Sequence, residues 1–81
     1  MDYQLYTEIV LVHDVPKEYL FAGDVGTIVE RHDVAGMETG YSIEFFNMLG
    51  QTVAVATLPA HMLRVPTPAD RPTVRSDQVA A

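Results

Sequence analysis

The sequence predicts an all-β chain that folds as a small, five-stranded, partly open barrel, with a short 3-10 turn before the last strand. Three observations carry this. Short runs rich in β-branched and aromatic residues recur at spacings of roughly 12 to 18 residues, bounded by Gly, Pro, Asn and Asp. Almost nothing between them reads as helix. A small antiparallel sheet, finally, resolves its unpaired edges by curling into a barrel.

Each element has its own warrant. Residues 5–12, Leu5-Tyr6-Thr7-Glu8-Ile9-Val10-Leu11-Val12, have strand length and strand composition. Pro16 ends the segment, because it has no amide to donate and biases Val15 to extended geometry. Lys17 to Gly23 is a short excursion that brings Leu20, with Phe21, onto the core. A second strand runs from Val25 to His32, and residues 33–40 form a turn-rich connection with two glycines. In the third strand, Tyr41 to Asn47, Tyr41, Ile43 and Phe45 share one face and Ser42 and Glu44 the other. Gly50 serves the next hairpin connection through its freedom at positive φ. The fourth strand, Thr52 to Leu58, sets Ala54, Ala56 and Leu58 on one side and Val53, Val55 and Thr57 on the other. Pro59 suits the first position of a 3-10 turn over residues 59–63, and Leu63-Arg64-Val65 gives a last short strand. The domain is expected over residues 1–65, followed by a flexible, proline-containing tail over residues 66–81.

Composition narrows the function classes. The chain has 81 residues and no cysteine, so one thin core must stand without disulfides or thiolate metal sites. Burial between copies is the remaining support. Residues 1–65 hold nine acids against Lys17, Arg31 and Arg64, which accounts for the whole net charge of −6. Phosphate-backbone binding needs clustered Lys and Arg, so nucleic acid is a poor partner. No segment has the length or apolarity of a membrane span or signal peptide, and a soluble cytoplasmic chain is expected.

Gly23 to Glu30 (Gly-Asp-Val-Gly-Thr-Ile-Val-Glu), Tyr41 to Phe45, Gly50 to Thr52, Thr57 to Pro59, and Leu63 with Arg64 carry a resemblance. Across residues 5–65 the chain resembles a family of small bacterial proteins of unknown function, frequent in cyanobacteria. The resemblance implies an SH3-like barrel and is silent on function, since that family has no assigned activity. More distantly, the Gly-Asp-x-Gly stretch resembles KOW elements of ribosomal and transcription-elongation proteins, and barrel subunits of photosystem I and ferredoxin–thioredoxin reductase. Those relatives bind RNA or dock on larger proteins. This chain departs from the RNA binders in its acidity.

Catalytic and ligand-binding constellations are weak. Gly23 and Gly26 lack the Lys-Ser/Thr and following helix of a phosphate loop. Gly23, Asp24 and Gly26, like Gly50, are therefore read as structural turn residues, with Asp24 accepting turn amides. His13, His32 and His61 lie near strand ends without the local spacing of a zinc site. Glu30 and Glu44 could form a carboxylate pair if the second and third strands are neighbours, though such residues more often face solvent or a basic side chain. No Ser-His-Asp or Cys-His pattern is present. No catalytic residue, cofactor or metal is expected.

An apolar surplus remains. A barrel has one interior, yet the first and fourth strands are apolar on both faces. Val10, Val12, Phe46, Met48, Val53 and Val55 are the expected interface residues. The leading expectation is a non-enzymatic protein-binding module that forms a homo-oligomer. Behind it stand an acidic partner that regulates or neutralises another protein, a KOW-like nucleic-acid binder, and a small enzyme with a site between subunits.

Overall fold

The computed structural model describes residues 2–75 and contains five strands: β1 (Glu8–Leu11), β2 (Val25–His32), β3 (Gly40–Phe46), β4 (Thr52–Pro59) and β5 (Leu63–Arg64). Single 3-10 turns occupy Pro16–Glu18 and Ala60–Met62. The strands form one antiparallel sheet in the order β4-β3-β2-β1-β5, curled into a half-barrel. Among the described residues no helix is long and apolar enough to cross a membrane.

Alternation along the strands builds the core. Tyr41, Ile43 and Phe45 of β3 are buried, and they meet Ile9 and Leu11 from β1, Ile28 from β2, Ala56 and Leu58 from β4, Leu63 from β5 and Leu20 from the excursion. Each large member contributes about 1.5–3 kcal/mol by leaving water. Tyr3 closes one side of this core. Its ring stands edge-on to Tyr41 at 5.3 Å, its amide donates to Tyr41 Oη at 3.0 Å, and its hydroxyl donates to Leu63 O at 2.8 Å.

The Gly-Asp-Val-Gly stretch is backbone machinery. Gly23 adopts φ +98°, and its amide donates to Leu11 O at 2.7 Å, while Leu11 N donates to Asp24 O at 2.9 Å. The carboxylates of Asp24 and Asp14 accept the amides of Phe21 and Ala22, both at 2.9 Å. Gly26 is buried where β2 lies between Ile9 of β1 and Phe45 of β3. A Cβ there would stand 2.4 Å from Ile43 Cγ2. In the β3–β4 hairpin, Gly50 takes φ +80°, and Asn47 Oδ1 accepts the amides of Leu49 and Gln51.

One expectation needs correction. The first strand starts at Glu8, not Leu5: Leu5 and Tyr6 form a turn in which Tyr6 has φ +64°. The turn holds because Tyr6 N donates to Ile28 O at 2.6 Å, and Ile28 N donates to Thr7 O at 3.0 Å. Residues of the tail, for which flexibility is expected, make hydrogen bonds back to the domain. Arg64 makes a two-pronged ion pair with Asp70 at 2.7 and 2.9 Å, and Thr67 N donates to Asp70 Oδ2. Arg75 reaches back to both carboxylate oxygens of Asp24 and lies 4.9 Å above the Phe21 ring. Residues 76–81, the end of the expected flexible tail, lie outside the described residues.

The Arg64–Asp70 clasp has a testable pH signature. The guanidinium hydrogen bonds, followed by the Thr67 amide, hold the Asp70 carboxyl far below its ordinary 3.8. A depressed carboxyl stabilises the fold above its unfolded value and loses that contribution as pH falls through its folded value. In an NMR titration the Thr67 amide is therefore expected to stay put through pH 3.8 and to move only in stronger acid. A midpoint at the ordinary aspartate value would show that the clasp does not form.

Candidate functional site

The candidate surface is the outer face of the β3–β4 hairpin. Because Ala54, Ala56 and Leu58 turn inward, the period of two sends Val53, Val55 and Thr57 outward. Val53 and Val55 are each 57% exposed. Phe46 is 43% exposed beside them, and at the hairpin tip Met48 and Leu49 are almost fully exposed. Leu49 was not among the expected interface residues, although its place in Met48-Leu49-Gly50 is a readable sign of a projecting tip. Ladder pairing sets Glu44 opposite Val55 and Ser42 opposite Thr57, so one acid borders the apolar patch. Glu44 in turn accepts from Thr52 Oγ1 at 2.5 Å.

The first-strand part of the expected interface is not on this surface. Val10 is 4% exposed, because β1 lies inside the sheet with Val25 and Arg64 as cross-strand neighbours. Val12 is half-buried, and its amide donates to Met62 O at 2.9 Å. Of the six expected interface residues, the exposed ones, Phe46, Met48, Val53 and Val55, all lie on the β3–β4 hairpin.

The polar groups assemble differently from expectation. Glu30 pairs with Ser42 and Glu44 with Thr27, so the two carboxylates are not cross-strand partners. His13 and His61 do meet, with ring centroids 6.2 Å apart. Glu38 accepts the His61 amide and shares a hydrogen bond with His61 Nδ1, both at 2.7 Å. The contacts with His61 pull the Glu38 carboxyl below its ordinary value. Among the described residues no group of three His, Cys, Asp or Glu is placed to hold a metal ion.

His32, Ser42 and Thr57 form a hydrogen-bonded row across β2, β3 and β4, with 2.8 Å at each step. Glu30 stands 3.5 Å from the same His32 nitrogen that meets Ser42. A nucleophile relay needs the hydroxyl on one imidazole nitrogen and the carboxylate on the other. Here both approach Nε2, and the Ser42 hydroxyl is shared with Thr57. This row is a strut that ties three strands together. A cleft of about 310 Å³ lies elsewhere, lined by Asp2, Tyr3, Gln4, Thr7, Glu8 and Val65. Its polar groups are largely engaged: Asp2 with Arg31, Tyr3 Oη with Leu63 O, and Thr7 Oγ1 with Gln4 O. Every buried side-chain polar atom among the described residues has a partner, so none waits for a ligand.

No curated protein and no solved structure matches the chain. Residues 5–65, the whole of the sheet, match the family described as "Domain of unknown function (DUF4926)", and the chain belongs to that family.

Proposed function

We propose that the chain is a non-enzymatic, SH3-like protein-interaction module that self-associates through the apolar outer face of β4. The observation that carries this reading is the exposure of Val53 and Val55 side by side, with Phe46 next to them. Isolated exposed valines need no explanation, but a contiguous apolar patch on a thin-cored domain does. Covering it supplies burial that a chain of 81 residues lacks by itself. Charge supports protein over nucleic acid as the partner. Arg31 is paired with Asp2 and Asp33, Arg64 with Asp70 and Arg75 with Asp24, so these cations are already neutralised.

Light scattering on the eluting peak of a sizing column tests this. The full chain is expected to run as an oligomer at high micromolar concentration. Val55→Glu buries a charge at the centre of the contact and is expected to weaken association by about 100-fold or more, with the β spectrum unchanged. A wild-type chain that stays monomeric would sink the proposal, and an oligomer indifferent to Val55→Glu would move the contact to another face.

A further inference from the structure

We infer that a second copy of this chain adds its β4 to β4 antiparallel, edge to edge about Val55, joining two half-barrels in one continuous sheet. The inference rests on the proposed self-association at β4 but places the contact along the strand edge, so that the outer-face side chains of β4 meet their counterparts at the seam and are not covered by a second sheet.

The free edge is legible from the ladder. β4 stands at the end of the sheet, with β3 as its one neighbour. Ala60 N donates to Thr39 O at 3.0 Å, in register with the Gly40–Pro59 pair. Hydrogen-bonded pairs alternate along an antiparallel ladder, so they fall at Tyr41–Leu58, Ile43–Ala56 and Phe45–Ala54. The peptide groups of the intervening residues turn the other way. The amides and carbonyls of Val55 and Thr57, and the carbonyl of Val53, therefore face outward. Among the described residues no other backbone group takes them up. Pro59, which has no amide, ends the row of donors.

This edge is complementary to itself. A two-fold axis at Val55 sets Val55 against its own copy and Thr57 against Val53 of the second chain. Val55 N–H then reaches Val55 C=O, and Thr57 N–H reaches Val53 C=O, in both directions: four hydrogen bonds from groups that have no backbone partner among the described residues. A shift by two residues one way places Pro59 opposite Val53 and leaves that carbonyl without a donor. The opposite shift sends Thr57 N–H to Gln51 O, which already accepts from Asn47 N at 2.9 Å. The centred register also stacks β-branched residues, Val55 on Val55 and Val53 on Thr57, on the outer face.

Charge selects a second copy as the occupant. The chain carries −6, so two copies repel wherever acidic surfaces meet. No Asp, Glu, Lys or Arg stands between Glu44 and Arg64, and β4 is uncharged from end to end. Strand edges are commonly protected by a lysine, an inward-pointing charge or covering chain. This edge carries no charge, and beyond the register shift that leaves Val53 without a cross-strand partner it is regularly paired over residues 54–59.

Residue-level amide hydrogen exchange of the full chain, measured below and above the association range located by light scattering, tests the geometry. Exchange at Val55 and Thr57 is expected to slow about tenfold or more on association, while Met48 and Leu49 at the tip stay fast. Val55→Pro removes an outward amide that β3 does not use, a change an edge strand tolerates. It is expected to weaken the dimer about 100-fold with the monomer still folded. A dimer in which the Val55 and Thr57 amides exchange at one rate throughout overturns edge pairing and leaves face-to-face packing. A chain that is monomeric at every concentration overturns both readings and leaves the edge to a strand of another protein.

Discussion

Gly26→Val is expected to leave the chain largely unfolded at room temperature. A Cβ at Gly26 meets Ile43 Cγ2 at 2.4 Å, Glu44 O at 3.0 Å and Phe45 Cδ1 at 3.0 Å. Glu44 O belongs to the backbone of β3, and Ile43 and Phe45 are buried on all sides. β2 cannot retreat either, because Gly26 is paired with Ile9 on one side and Phe45 on the other. Overpacking a core of this kind costs about 1–3 kcal/mol per inserted group and more when the backbone is fixed. A domain of this length has about 4–12 kcal/mol in total. Gly26→Ala is expected to lose about 2–3 kcal/mol in a urea titration, and the valine variant to show no cooperative transition. Gly23→Ala is the control. It places its methyl in open space at φ +98° and is expected to cost about 1 kcal/mol. Equal midpoints for Gly26→Ala and Gly23→Ala would show that the close approach of β2 to β3 is not real.

Tyr41→Ala is the second large effect, with an expected loss of about 3–5 kcal/mol. Tyr41 is fully buried near the start of β3. Removing its ring opens a cavity among Ile43, Phe45 and Leu58 and withdraws the surface on which Tyr3 rests. Tyr41→Phe separates these contributions. It keeps the packing and removes only the oxygen that accepts the Tyr3 amide, at a cost of about 1 kcal/mol. The phenylalanine variant is expected to keep its urea midpoint to within that amount while the Tyr3 amide exchanges faster. If Tyr41→Phe destabilises as much as Tyr41→Ala, the hydroxyl and not the ring holds this corner.

Local rules made the sheet readable. β2, β3 and β4 lie within a residue of where composition and turn residues placed them, because β-branched and aromatic runs are bounded by turn-forming residues and β3 alternates in polarity. The residues that misled are those whose state depends on distant neighbours. Tyr6 enters the left-handed region without being Gly or Asn, because it is held against Ile28, which no local pattern announces. Val10 alternates as an outer residue should, yet lies buried, because both β2 and β5 flank its strand. The tail reads as proline-rich and polar, and its anchoring depends on Arg75 meeting Asp24, 51 positions earlier in the chain. His13 and His61 were visible as residues but not as neighbours, since the β1–β5 pairing brings them together. On the hairpin, local information sufficed. Period two decides the outward direction of Val55 and Thr57, while Val53, exposed as well, lies at the register shift beside Phe45 and Phe46.

β5 has only two residues. That brevity decides how far assembly through this sheet can go. A subunit with two long bare edges can recruit neighbours without end and grow into a fibre. Here one edge is long and bare while the opposite one offers too little backbone to seat another strand. In the proposed β4 pairing, the two-residue β5 leaves the joined sheet little edge to extend, so edge association would stop at a closed pair.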